Sequence, residues 1–307
     1  MLTETLSISL MSFGLALLAG RPTRRRLAVA GLVFGLCALA REALLFIPAT
    51  MGAALILQSG LSNPRRLNRG LRRAALVITA AALVVAPWTL RNFRALGRLV
   101  PVSGGAAAYS FWIGTWETDP SWTSGPTPQF PSEAFPSAEH RSRLEAFEGE
   151  LFQPEAQALL YEMAITNWRQ APGLTALRCL RRTPLMWLGT RTEIFQFRPA
   201  ALRARGSLVW LAHKALYWAV NTLVIILGFT GIFLALRRGG AAKRLAGLAI
   251  APILLLGVVH FPVHNTESRY SHPVLPILLV AGGSLAGVLT LKLRARWPSR
   301  RQTPGVE

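Results

Sequence analysis

The residues best suited to chemistry lie at four places where polar side chains interrupt or border apolar sequence. The densest is His264-Asn265-Thr266-Glu267-Ser268-Arg269-Tyr270-Ser271-His272, pinned between two apolar runs and closed by Pro273 and Pro276. Arg269 offers a planar guanidinium that holds a phosphate or carboxylate through two parallel charge-assisted bonds. Glu267, Tyr270 and His272 add a carboxylate, a phenol and an imidazole. A second place is Arg41-Glu42, inside the apolar stretch Leu27–Gln58. It is either a turn neutralised by an adjacent charge pair or a cation-carboxylate pair presented to a ligand. A third is Arg91-Asn92, just after Pro87-Trp88. There Arg91 either meets lipid headgroups beside an interfacial Trp or serves an anion. The fourth is the aromatic run Tyr109, Phe111, Trp112, Trp116 and Trp122, which packs, sits at an interface or stacks on a sugar ring. Ionisable groups near membrane depth are costly, which makes each of them a functional candidate.

Other chemistries find no pattern. There is no GxGxxG, no P-loop and no HExxH, and His140, His213, His260, His264 and His272 do not form a metal site. Only His260 and His264 share a helical i, i+4 spacing, and His260 is expected to face the protein interior. Cys37 and Cys179 have neither a second Cys nor a His at ligand spacing, so they read as packed residues. A carboxylate mechanism would draw on Glu4, Glu42, Glu117, Asp119 or Glu267.

The elements that must position these groups are apolar helices. The 307 residues are 51% hydrophobic and 16% charged, against about 25% charged in soluble domains. A span needs about 20 mostly apolar residues. Seven segments qualify: Thr3–Ala19, two short helices within Leu27–Gln58 meeting at Arg41-Glu42, then Leu71–Leu90, Ala215–Leu236, Leu245–Val263 and Pro273–Leu291. Short cores span when flanking Arg side chains snorkel to the interface.

The net charge of +20 would suggest nucleic acid were it not for its distribution. Eighteen basic residues, among them Arg24–Arg26, Arg65, Arg66, Arg237, Arg238 and Arg294, fall in alternate connections and the tail, with only Glu307 opposing them. The intervening connections carry little excess charge; residues 91–206 hold 13 basic and 10 acidic residues. The positive-inside rule then places the four Arg-rich segments in the cytoplasm. Met1 falls outside by this count, and further spans upstream of it are the simplest completion.

Residues 91–206 are too polar to span and form an external segment. Prolines between Asp119 and Pro136 predict an extended loop. Ser137 predicts the cap of a helix to Leu151, and Pro154 the first turn of another with Ala158, Tyr161, Ile165 and Trp168 on one face. A third, Leu174–Leu188, is basic and amphipathic through Arg178, Arg181 and Arg182. It either lies on the membrane surface or packs on the helical body. The domains expected are spans over 1–90, the external segment over 91–206, spans over 207–293 and a basic cytoplasmic tail over 294–307.

Five stretches carry a resemblance. Span one opens Thr3-Glu4-Thr5-Leu6, span two continues GLVFGLCALAREALLFIPA, and span four ends APWTLRNFRALGRLVPVSGGAAAYSFWIG. The external helices contain NWRQAPGLTALRCLRR and the last outer loop reads ESRYSHPVLP. In this order they resemble the bacterial family-39 glycosyltransferases, relatives of protein mannosyltransferases and of the aminoarabinose transferase of lipid A. The resemblance implies the GT-C membrane fold and transfer of a sugar from a polyprenyl-phosphate carrier to a glycan, lipid or protein acceptor outside the bacterial cytoplasmic membrane. It implies a carrier-phosphate role for Arg269 and Tyr270, with Arg41 and Arg91 serving the same anion. Glu267, His272 and Glu42 rank second, as sugar or acceptor contacts. It also implies that the acidic base lies in a loop upstream of Met1; no metal ligand and no covalent cofactor is expected.

The fold expected is therefore an all-α integral membrane protein of about seven spans with an external helical segment, GT-C-like and N-terminally incomplete. Two other functions compete: a non-catalytic carrier-binding scaffold, and a transporter. Span interiors hold few polar residues beyond Ser, Thr and Asn221, which disfavours the transporter.

Overall fold

A computed structural model describes residues 2–20, 22–97, 99–102, 107–117, 130–147, 149–188, 208–263 and 272–296. Within them every regular element is helical: α1 (Leu2–Ala19), α2 (Arg24–Ala40), α3 (Ile47–Ser59), α4 (Pro64–Leu96), α5 (Ala107–Trp116), α6 (Ala138–Glu145), α7 (Pro154–Gln170), α8 (Pro172–Leu188), α9 (Leu208–Arg238), α10 (Gly240–His260) and α11 (Leu275–Arg296). Four stretches are long and apolar enough to cross a membrane: Glu42–Ser59, Pro64–Leu96, Ala215–Arg238 and Gly240–His260. Thr3–Ala19 and Leu275–Leu291 are shorter apolar helices. Large apolar side chains such as Leu83, Leu254 and Val280 stay exposed on the bundle, a surface suited to lipid rather than water.

Local chemistry sets the ends. Thr23 caps α2 through its hydroxyl, which accepts from the Arg26 amide. Asn63 caps α4, its carbonyl oxygen accepting from the amides of Arg65 at 3.0 Å and Arg66 at 3.3 Å, and such a cap contributes about 1 kcal/mol. Gly97 ends α4 in the left-handed region at φ 65°, a conformation that costs glycine little. The break between α2 and α3 falls where the charges predict it. Arg41 is extended, Glu42–Leu44 forms a 3-10 turn, and Pro48 sits in the first turn of α3.

Small residues let the helices approach. A Cβ on Gly35 would stand 2.7 Å from the Ala81 carbonyl oxygen and 2.8 Å from Val84 Cβ. Gly31 meets Val77 and Ala80 in the same way, so α2 and α4 run parallel, with α3 antiparallel between them. Gly228 against Leu278 and Gly231 against Ala281 make α9 and α11 parallel too, joined through α10. The Gln58 side chain donates to the Arg244 carbonyl at 2.9 Å and ties α3 to α10, while α1 packs on α2, α10 and α11.

This geometry gathers the ends. The Arg-rich starts of α2, α4 and α10 and the Arg- or Lys-rich ends of α9 and α11 all lie at one end of the bundle. The Arg41-Glu42 turn, the last turns of α4, His260 and the 3-10 turn His272–Val274 lie at the other.

Helices α5–α7 build a second core. Trp112, Ile113 and Trp116 of α5 pack with Leu159, Leu160 and Met163 of α7. One expectation is corrected here. The helix capped by Ser137 stops at Glu145 instead of Leu151, giving way to turns that include Gly149 at φ 89°. α7 does set Ala158, Tyr161 and Ile165 on one exposed face, with Trp168 half-buried at its end, and its buried face is Ala156, Leu159, Leu160, Met163 and Ala164. α4 continues beyond the apolar run Leu71–Leu90 to Leu96, and α11 runs to Arg296. The aromatic run packs: Trp112 and Trp116 are buried, and Trp112 donates to the Ala134 carbonyl at 2.8 Å. Trp122 lies outside the described residues.

Candidate functional site

The candidate site is the end of the bundle opposite the Arg-rich ends. Arg41 closes α2, its amide bonded to the Cys37 carbonyl at 3.0 Å. Its half-buried guanidinium lies within electrostatic reach of Cys37 and His260. His260, at the end of α10, is 4% exposed and faces the interior, as its sequence context predicts. Cys37 is packed, its thiol directed at the Ser7 carbonyl of α1. Glu42 opens the 3-10 turn beneath α7. Its charge reaches Tyr161; burial first, then that charge, raises the phenol above its ordinary pKa.

Arg91 is held differently. Trp88, Thr89 and Asn92, in the last turns of α4, strap residues 100–102 back along the helix. The Trp88 indole donates to the Val102 carbonyl at 2.8 Å, and the Asn92 amide to Val100 and Val102, each at 3.0 Å. Thr89 donates to the Pro101 carbonyl at 3.0 Å. On this platform the Arg91 guanidinium stacks 4.8 Å from the Trp88 ring and donates to Asn92 Oδ1 at 3.2 Å. Arg91 is exposed and still oriented by the Trp88 ring and Asn92.

A buried network at the C-terminus of α5 escaped the sequence reading of α8. Arg182 is 3% exposed and Glu117 fully buried. Arg182 donates to the carbonyls of Glu117 and Gly114, and Arg178 to that of Thr115 at 3.1 Å. The last carbonyls of a helix have no partner within it and carry partial negative charge, so two guanidiniums complete α5. Burial pushes the Arg182 guanidinium below its ordinary pKa, partly offset by Cys179 and Glu117. Burial followed by the Glu117 charge raises Tyr109. Asn167 of α7 donates to the Thr115 hydroxyl at 2.9 Å. Arg182 and, in part, Arg178 are therefore turned inward, while Arg181, Leu174, Leu177 and Leu180 are exposed. Only a tertiary partner, the end of α5, could reveal this.

The network abuts Pro262 and Val263, the described residues that precede the densest sequence motif. Gly114 packs against the backbone of Pro262 and Val263, with an added Cβ 2.9 Å from the Val263 carbonyl carbon. The chain then enters 264–271. Glu267, Arg269 and Tyr270 lie outside the described residues, as does His264, and His272 begins the 3-10 turn that follows. α8 also reaches the bundle. Met186 joins the bundle core, Trp187 stacks 5.7 Å from Phe229, and the Asn221 amide donates to the Trp187 carbonyl at 2.6 Å. Asn221 thus caps the end of α8, which gives this polar residue of span five a structural role.

Among the described residues no group of three or more His, Cys, Asp or Glu is placed to hold a metal ion. Arg41 and Arg91 supply cations at this end of the bundle, and Glu42 is a carboxylate within electrostatic reach of Tyr161. Comparison with protein-family models, with curated proteins and with solved structures gives no match to this chain.

Proposed function

We propose that this chain crosses the bacterial cytoplasmic membrane seven times, with its Arg-rich ends in the cytoplasm, and transfers a sugar from a polyprenyl-phosphate carrier at the outer end. The observation that carries the reading is segregation. Arg41, Glu42 and Arg91 lie at the end of the bundle opposite the Arg-rich ends, where α10 and the 3-10 turn His272–Val274 flank the segment holding Arg269 and Tyr270. The resemblance of ESRYSHPVLP and APWTLRNFRALGRLVPVSGG to family-39 glycosyltransferases supports it.

In this reading Arg269 pairs with the carrier phosphate, assisted by Arg41 or Arg91, and neutralises the charge that grows on the leaving phosphate as the glycosidic bond breaks. An acceptor hydroxyl needs a base within hydrogen-bond reach. Glu117 is sealed in the α5 network and does not serve; Glu42 lies at the same end of the bundle as Arg41, and Glu267 belongs to the motif that the resemblance assigns to the site. The sealing of Glu117 favours a second reading, a carrier-binding scaffold that does not itself catalyse.

The test is radiolabelled sugar transfer by membranes containing the protein, with Arg269→Ala, Arg41→Ala and Glu42→Gln beside the wild type. Loss of transfer in Arg269→Ala with normal expression supports the transferase; wild-type carrier binding without transfer supports the scaffold. Equal transfer in all three variants removes this end from the reaction. Cysteine labelling from either side of the membrane checks orientation: a tag near Arg269 reacting only from the cytoplasm overturns it.

A further inference from the structure

A cleft of about 550 Å³ runs between α1, α9, α10 and α11, from Arg238 at the Arg-rich end towards Pro276 in the first turn of α11. Its size falls within the about 300–1,000 Å³ of ligand pockets. It exists because facing positions carry small side chains. Ala16 and Ala19 of α1 oppose Gly231, Ala246 and Ala281, and the helices part without filling the gap. The cleft opens on the bundle surface, where the lining residues Leu245 and Val280 are exposed. Its wall is almost wholly apolar; the Ser284 hydroxyl is already bonded to the Val280 carbonyl of its own helix at 2.8 Å.

One lining residue is charged, Arg238. Arg237, Lys243 and Arg244 stand exposed around the same helix ends, and no acidic residue lies between Arg205 and Val263. An apolar groove with a cation at its mouth matches a molecule with an apolar tail and an anionic head. Basic pockets between helices at the cytoplasmic face suit anionic phospholipid headgroups.

We propose that this cleft binds an anionic phospholipid, one acyl chain lying along the small-residue wall and the phosphate at Arg238. The carrier of the proposed reaction is a different ligand, because its phosphate belongs with Arg41 and Arg91 at the opposite end. The inference needs only that the bundle sits in a bilayer; it stands or falls separately from the transferase reading.

The test is native mass spectrometry of the purified full chain, titrated with phosphatidylglycerol or phosphatidylcholine of identical acyl chains. Wild type is expected to retain one phosphatidylglycerol with a preference of about fivefold. Arg238→Gln, at an exposed position, should erase the preference, and Ala16→Trp should weaken retention of both lipids by filling the groove. If Ala16→Trp melts early, Arg238→Gln decides alone. Equal retention of the two lipids by wild type overturns the proposal, as does a preference that Arg238→Gln leaves intact. Arg238-dependent retention of polyprenyl phosphate above phosphatidylglycerol would overturn it too, by giving the cleft to the carrier.

Discussion

Arginine serves the two ends of this molecule in opposite ways. At one end Arg24, Arg25, Arg26, Arg65, Arg66, Arg69 and Arg72 are exposed at helix starts, where a cation gains nothing from the helix dipole. Their role is set by number and side, as a band of positive charge. At the other end and in helices α5–α8, single arginines are held by specific partners. Arg182 completes the carbonyls of α5, and Arg91 rides on Trp88 and Asn92. The lesson is that count marks one end of the bundle while environment sets what a single arginine does. A band tolerates the loss of one member, and a buried cation does not.

The largest test of that contrast is Arg182→Leu against Arg25→Ala. Removing the buried guanidinium takes its bonds from the Glu117 and Gly114 carbonyls, leaving Gly114 the weak Cys179 thiol, and a loss of about 3 kcal/mol is expected by denaturant titration in micelles. Arg25→Ala should stay within about 0.5 kcal/mol. Equal effects would break the comparison.

Next comes Gly114→Ala, which drives a methyl into the Pro262–Val263 backbone and should cost about 1–3 kcal/mol. Gly257→Ala, with nothing within 4 Å of the added Cβ, should be neutral or gain up to about 1 kcal/mol through helix propensity. Trp88→Phe removes the bond to Val102 and should lose about 1 kcal/mol, and Arg91 side-chain order by NMR should fall with it.

The smallest effect is alkaline. Tyr109 has a folded pKa above its unfolded value near 10, so above that value the folded state holds the proton more tightly. Stability is therefore unaffected below about pH 10 and falls as pH rises through the window between the two values. Tyr109→Phe should flatten that part of the profile, and unfolding midpoints from pH 9 upward measure it.

Much of this architecture was legible in the residues. The Arg41-Glu42 break and the Pro154 start of α7 are local signals, and each falls where its chemistry places it, whereas α4 starts at Pro64, seven residues before the apolar run Leu71–Leu90 that marks it in the sequence. The inward-facing α7 and α8 surfaces were not legible. Periodicity groups Ala158, Tyr161, Ile165 and Trp168 on one side of a helix, yet Ala156, Leu159, Leu160 and Met163 form an equally apolar side, and it is this one that α5 covers. The Arg178-Arg182 pattern on α8 looked like a polar surface because the partner that neutralises it lies 63 to 68 residues earlier.

The sequence by itself determined the helices, their breaks and the alternation of charged and neutral connections, because hydropathy, capping and proline act over a few residues. Only the tertiary structure decided which cations are buried, which face of α7 is inside, and that Arg41, Arg91 and the flanks of 264–271 share one end of the bundle. Those outcomes depend on partners far along the chain: carbonyls at the end of α5, and glycines that let α2 meet α4 and α9 meet α11 side by side. No local pattern states which distant surface will come to rest against a given residue.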